Sequence, residues 1–465
     1  MRASVPTGGN SCATSCVAAS RFPPWPRFRC RHSRSPRWVP RSLTGRDCAG
    51  MPDVSCTAVL IVRDEEGVLD ECLRSVRDLV DEVLVLDTGS RDRTREVARH
   101  AGARVVESRW RDDFAAARNE GIAQARGRWI LSIDADERIE RADRRRLIPP
   151  LAGTPPVAYR VWLRPDALFT RHRACRLFRN DPRIRFEGRI RESVLPSIRR
   201  MTGACAAPLV GDCDLSIEHH DDPAVRGRKH GRDLPLLRQA IRDEGENVVY
   251  WTDLGRALAG LGDAAGALSA WQCAIGLVRR RAGGSPADSL PYTDLLQRTA
   301  QSEGCRRALL DEACERFPDN WLLVWLRASD LIARRRWADA LPLLRELAAI
   351  EDERDACPTM AYDRRIFGEF AHVALGTCCA GLGRWTEAAA WYGRAEAAEP
   401  ASLEYRVKRA LALERSSQAA RPSGAIGAPG VAVAGSSRKA RGPMTTASSA
   451  GDGDGPGGIV SRRAC

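Results

Sequence analysis

The stretch WILSIDADE, Trp129 to Glu137, decides how this chain is read. Its first five residues make a short apolar run of the length and composition of a buried strand. The run ends in Asp134 and Asp136, at positions i and i+2, and side chains two apart on an extended chain point to the same side. Both carboxylates can therefore approach one hard cation, which takes oxygen ligands and shares them with substrate phosphates. The same pair also fits a strand-terminal turn with two solvated acids, so the surrounding sequence has to decide.

Upstream, short apolar runs alternate with amphipathic stretches, as in α/β folds. Cys56 to Val62 (CTAVLIV), Glu82 to Leu86 (EVLVL) and Arg104 to Val106 read as strands, and Val68 to Val76, Asp92 to His100 and Phe114 to Ala125 as helices. In open parallel sheets a ligand sits beyond the carboxyl ends of the strands. Those ends carry Arg63-Asp64-Glu65-Glu66, Asp87-Thr88-Gly89-Ser90 and Asp134-Ala135-Asp136-Glu137. Asp87 can accept a hydrogen bond from a nucleobase N–H, and the turn after it leads into a helix N-terminus that suits an anion. Ser90 or Asp92 can equally be a plain helix cap. A dinucleotide-binding site is excluded, because an acidic loop, and not G-x-G-x-x-G, follows the first strand.

Downstream, a charged helix is read over Glu140 to Leu147 and strand-like pieces over Tyr159 to Leu163 and Arg176 to Phe178. From about Val248 the texture is helical. Trp251, Leu254, Gly255, Leu258, Gly262, Ala267, Trp271 and Ala274 have the offsets of a tetratricopeptide unit, two antiparallel helices in about 34 residues. Leu375, Gly376, Cys379, Gly383, Ala388, Tyr392, Ala395 and Pro400 repeat them, and Leu331, Ala340, Leu344 and Leu347 form a weaker copy. Such units stack into a solenoid. The expected layout is an Arg/Pro-rich arm or misassigned start over 1–50, an α/β domain over 51–240, an all-α repeat domain over 241–414 and a disordered Gly/Ala/Ser/Pro-rich tail over 415–465.

The net charge of +13 sits in the ends: residues 1–50 contribute +8 and residues 416–465 contribute +4, leaving +1 for the body. A near-neutral body is not the footprint of a nucleic-acid partner. No stretch is long and apolar enough for a membrane span. The 16 cysteines are scattered without paired CxxC spacing, which reads as reduced core thiols in a cytoplasmic protein and not as a zinc site.

Taken together, LIVRDEEGVLDECLRSVRDLVDEVLVLDTGSRDRTREVARHAGARV and WRDDFAAARNEGIAQARGRWILSIDADE resemble the family 2 glycosyltransferases of GT-A fold. They resemble most the subgroup in which tetratricopeptide repeats follow the transferase domain, which includes peptide S-glycosyltransferases. The resemblance implies an inverting transfer from a nucleotide diphosphate sugar, with uridine as the default base, to a peptide, protein or other large acceptor held by the repeats. It implies a divalent metal, Mn2+ or Mg2+, on the DxD. Asp87 then contacts the nucleobase, Asp134 the ribose or diphosphate side and the metal, and Asp136 the metal. Asp64 and Glu65 lie on the donor loop, and Arg118 and Asn119 match the family's Arg-Asn pair beside the nucleotide.

RLFRNDPRIRFEGRIRESV, Arg176 to Val194, resembles the stretch that ends in His-Glu in this subgroup, with Arg191 in place of the His. An inverting displacement needs a carboxylate to take the acceptor's proton, so Glu192 is the candidate base. In LSIEHHDD, His219 falls where the subgroup has a His that completes the metal shell; His220 is its neighbour, and Asp221-Asp222 replaces the usual Gly-Tyr. Lys229 to Leu237 resembles the linker helix into the repeats. The repeats fit either an acceptor or a second copy of the chain. The competing expectation is a scaffold: repeats on a transferase domain that no longer turns over.

Overall fold

The computed structural model describes residues 56–140, 156–201, 209–220, 223–281, 284–299, 301–352, 356 and 358–420. The expectations for the arm 1–50, the helix 140–147 and residues 421–465 lie outside these.

Strands occupy the first part of the described chain: β1 Cys56–Val62, β2 Glu82–Asp87, β3 Arg104–Glu107, β4 Trp129–Ser132, β5 Glu137–Ile139, β6 Ala158–Arg164, β7 His172–Arg179 and β8 Val210–His219. They form one sheet in the order β3-β2-β1-β4-β7-β6-β8-β5. The first four, β3-β2-β1-β4, run parallel, and β7 then pairs antiparallel with both β4 and β6. This is the mixed, Rossmann-like α/β sheet of the GT-A type. The fully apolar runs are explained by burial on both faces: Leu60, Leu84, Leu86, Ile130 and Leu131 are inaccessible. Helices α1 Leu69–Val76, α2 Thr94–His100 and α3 Phe114–Gln124 follow the first three strands, and α4 Leu195–Met201 precedes β8.

After the DxD the sheet gains a short strand that was not expected from the sequence. Glu137–Ile139 is a short strand, β5, pairing antiparallel with β8 so that Glu137 opposes His219. That pairing brings the end of β8 to the carboxyl-end edge where Asp134 and Asp136 sit.

From Pro223 on, every regular element described is helical. After α5 Pro223–Asp243 come the hairpins α6 Val248–Gly260 with α7 Ala264–Arg280, α8 Leu290–Arg298 with α9 Glu303–Arg316, α10 Trp321–Ala333 with α11 Trp337–Ala348, and α12 Glu369–Gly381 with α13 Trp385–Ala398, then α14 Leu403–Ala420. The expected copies fall on α6/α7, α10/α11 and α12/α13; the α8/α9 hairpin lacks the small-residue signature and was not expected. The last helix runs to Ala420, five residues beyond the expected start of the tail. The spacing works through close packing: a methyl on Gly255 would overlap the indole of the fully buried Trp271, whose Nε1 donates to Thr252 O at 3.1 Å. Asn247, Asp263, Ser302 and Asn320 cap their helices with side-chain oxygens.

A strap joins the repeats to the sheet. Between α11 and α12, Tyr362 O accepts from Thr170 N at 2.8 Å while Tyr362 N donates to Thr170 Oγ1 at 2.9 Å. Arg173 N donates to Pro358 O and Arg364 N to Leu168 O.

Candidate active site

Two loops interlock beyond β1 and β2. Asp64 N donates to Ser90 Oγ at 3.0 Å, Glu65 N to Thr94 Oγ1 at 2.8 Å and Glu66 N to Asp92 Oδ2 at 3.1 Å. In return Arg91 N donates to Asp64 Oδ1 at 2.6 Å and Arg93 N to Glu66 Oε2 at 2.8 Å. Asp64, with φ of 56°, is thus a loop-locking residue whose carboxylate already has a backbone donor. Asp92 also accepts from Thr94 N at 3.0 Å, which is capping work. Glu65 keeps its carboxyl for other uses; burial and the nearby charge of Asp136 push it up to about 7.

Asp87 ends β2 and is 1% exposed. Its Oδ1 accepts from Gly89 N at 3.1 Å and Ser90 N at 3.0 Å across a turn in which Gly89 takes φ of 107°. Its Oδ2 is buried without a hydrogen-bond partner. A buried carboxylate oxygen left in this state is unfavourable unless something donates to it.

At the centre, buried Arg118 on α3 joins three groups. Its Nε lies 2.6 Å from Glu192 Oε1, its Nη2 2.7 Å from Asp134 Oδ1 and its Nη1 3.3 Å from Ser132 Oγ. Arg176 on β7 contacts the other Asp134 oxygen at 3.3 Å and Glu137 Oε1 at 2.5 Å. Burial works against ionising Asp134, but the two guanidinium groups hold its carboxyl well below the usual carboxylate range. Glu137, buried and accepting no other cation, is pushed upward by desolvation. Glu192 and Asp134 therefore stand on either side of one guanidinium.

Asp136 faces a different set. His219 Nε2 lies 3.2 Å and Lys229 Nζ 2.8 Å from its Oδ2, and His220 N donates to its main-chain oxygen at 2.8 Å. Burial would lift the Asp136 carboxyl, yet His219 and Lys229 hold it at about 2. His219 in turn is raised, chiefly by its hydrogen bond to Asp136. Of the expected metal ligands, Asp136 and His219 are brought together, while Asp134 is turned to Arg118 and Arg176. Among the described residues, no three His, Cys, Asp or Glu side chains are close enough to hold an ion by themselves. An oxygen and an imidazole nitrogen, with the acidic Glu65 in their field, still fit a hard divalent cation that completes its shell with phosphates and water.

Three placements add to what the sequence led one to expect. Asn119 donates from Nδ2 to Phe186 O at 2.9 Å and accepts at Oδ1 from Phe186 N at 2.9 Å. Both ends of the amide thus hold the chain before Glu192, a structural role beside the one expected of it, with one N–H and one lone pair still to spare. Lys229 and Arg176 were not singled out from the sequence, although each contacts one aspartate of the DxD. The sole signal for Lys229 is that a lysine occurs at all in a chain with three.

Residues 57–207 match the family model described as Glycosyl transferase family 2. A TPR repeat-containing protein of Synechococcus elongatus is 35% identical over 283 residues, covering 58% of this chain and 66% of the relative. The SPbeta prophage-derived glycosyltransferase SunS of Bacillus subtilis is 25% identical over 227 residues, 46% of this chain and 51% of its own. The chain thus spans between half and just under two thirds of these relatives. Among solved structures, glucosyl-3-phosphoglycerate synthase of Mycobacterium tuberculosis with Mn2+ and UDP is similar over 40% of this chain and 80% of its own, at 18% identity and a TM-score of 0.30. A thermophilic TPR protein of Thermus thermophilus is similar over 41% and 94%, at 21% identity and a TM-score of 0.27. With the strand order, the aspartates at the strand ends and the helical hairpins that follow, the family match means that residues 57–207 are a family 2 glycosyltransferase domain.

Proposed function

We propose that this chain is an inverting, metal-dependent glycosyltransferase that moves a sugar from a UDP-sugar to a peptide or protein acceptor presented by its helical hairpins, with the division near residue 240 separating donor chemistry from acceptor binding. The observation that carries the reading is the orphaned Asp87 Oδ2 on the same sheet edge as the Asp136–His219 pair. A uracil ring supplies an imide N–H of the kind that oxygen lacks, and the diphosphate that follows supplies oxygens for a cation at Asp136.

When bound, the cation offsets the charge that grows on the leaving diphosphate. Asp136 and His219 would hold it, with Glu65 beside them. Arg118 fixes Asp134 and Glu192 to each other. In the transfer, the acceptor's nucleophile bonds to the anomeric carbon as the bond from that carbon to the β-phosphate oxygen breaks. Glu192 takes the acceptor's proton and UDP departs with the electron pair. Glu192 is 12% exposed, and its Oε1 is held 2.6 Å from Arg118 Nε. No described helix is long and apolar enough to cross a membrane.

Calorimetric titration with UDP, with and without manganese, tests the reading. Metal-dependent micromolar binding, with GDP and dTDP weaker, is the expected result. Silence towards all three nucleotides overturns it and favours a repeat scaffold.

A further inference from the structure

The loop that carries Glu192 is built by both the sheet and the helices. Glu187 and Ser193 exchange two backbone hydrogen bonds of 3.0 Å, which close the residues between them into a tight bulb. Within it, Gly188 takes φ of 98° and Arg191 takes φ of 57°. Three consecutive side chains then go to three places. Ile190, 5% exposed, is packed in the helical core with Leu236, Tyr250, Leu254 and Trp271. Arg191 reaches α6, where its Nε lies 2.6 Å from Asp253 Oδ2. Glu192 returns to Arg118 in the sheet domain.

Asp253 is the fixed end of that contact. Its side chain is 6% exposed, and its other oxygen lies 3.3 Å from Arg256 Nη1, while Arg256 Nε lies 2.6 Å from Asp294 Oδ2 on α8. Arg191 is the adjustable end, with a side chain 56% exposed. A non-glycine residue with left-handed backbone persists where its surroundings over-determine it. Here the determinants are the Ile190 plug before it, the Asp253 pair on it and the Glu192 pair after it.

We propose that Asp253, acting through Arg191, is a positioning residue for catalysis: the first helical hairpin sets where Glu192 stands, so the repeats are part of the catalytic apparatus as well as a holder for the acceptor. This rests on the reading of Glu192 as the base. It gives Arg191, where the related subgroup has a His, a role of its own.

The test uses the full chain, UDP-glucose as donor and water as acceptor, with manganese present. Arg191→Ala, Asp253→Asn and the double variant are compared with wild type in kcat and KM for donor hydrolysis, in UDP affinity, and in amide hydrogen exchange over residues 187–193. Expected are a fall in kcat of about tenfold to 100-fold in either single variant, as small misplacements of a reacting group give, and KM and UDP affinity within about twofold. The double variant should be no worse than the worse single one, because the two residues act through one contact. Exchange should quicken in the bulb and not in β1 or β4, and Arg191→Lys should recover part of the loss. Wild-type kcat in Arg191→Ala, or losses that multiply, or unchanged exchange in the bulb, overturns the positioning role and leaves the transferase reading standing. Glu192→Gln with wild-type kcat for donor hydrolysis overturns the assignment of Glu192 as base, and the positioning role with it.

Discussion

Lys229 Nζ lies 2.8 Å from Asp136 Oδ2, the oxygen that His219 Nε2 approaches to 3.2 Å. The ammonium belongs to the first helix after the sheet, so the carboxylate proposed to meet a cation is already matched by a positive charge from the element leading into the repeats. A divalent ion arriving at Asp136 meets like charge at a few ångströms, where the Coulomb term is several kcal/mol before Lys229 swings away or solvent screens it. Lys229→Met should therefore tighten Mn2+ binding without nucleotide, on the order of tenfold, in a direct calorimetric titration. Equal or weaker Mn2+ binding would mean that the cation does not sit at Asp136.

Asp136→Ala separates this carboxylate from the fold. Its side chain is 20% exposed and bonds only side chains at its own edge, so the melting temperature should stay within a few degrees. Losing a partner of a metal ligand already costs 10- to 100-fold in affinity as a rough guide, so losing the ligand itself should weaken manganese-dependent UDP binding by more than about 100-fold. UDP affinity that is unchanged with manganese present would defeat the DxD assignment.

His172, at the start of β7, gives a pH dependence of stability that is independent of the metal. Burial and then the charge of Arg176 depress its imidazole to about 4, and its Nδ1 is buried without a hydrogen-bond partner. The folded state thus binds this proton more weakly than the unfolded chain, whose imidazole titrates near 6.5. Its contribution is complete above that pH and erodes as the pH falls through the window from 6.5 to 4. The loss should reach about 2 kcal/mol, less than the full shift because the ring is partly exposed. Urea unfolding of wild type and His172→Phe across this window checks it: the variant should be flatter with pH, and parallel curves would show that another group carries the acid sensitivity.

What the sequence made legible follows from which interactions are local. β1, β2 and β4 announce themselves because strands mostly buried on both faces have to be largely apolar, and the acids after them stand out for the same reason. The α6/α7 and α12/α13 hairpins are readable because Gly255 and Gly376 pack on the rings of Trp271 and Tyr392 at fixed offsets. The α8/α9 hairpin makes the same turn without that signature. Lys229 and Arg176 could not be ranked, since their partners lie 93 and 42 residues away, at Asp136 and Asp134, and no local pattern encodes such pairings. The strap through Tyr362 is invisible for a related reason: it is mostly backbone bonding, which leaves little trace in side-chain type. Asn119 shows the converse, a residue recognised by its motif whose side chain also does structural work.

That double role can be turned into a measurement. The Asn119 amide matches both backbone groups of Phe186, at 2.9 Å each, and Phe186 is a buried residue whose ring faces the Arg118 guanidinium at 5.3 Å. Asn119→Ala leaves a backbone N–H and a carbonyl without partners, at about 1–3 kcal/mol for each group that stays buried, so a total loss of about 2–4 kcal/mol is expected. Asn119→Asp should be at least as harmful, because it replaces the donor facing Phe186 O with a second acceptor. UDP affinity, measured well below the melting temperature, should move by less than about threefold, roughly 0.6 kcal/mol. The reverse result, a steady melting temperature with UDP binding lost, would return Asn119 to the nucleotide and leave the Phe186 contact as a feature of the chain without donor.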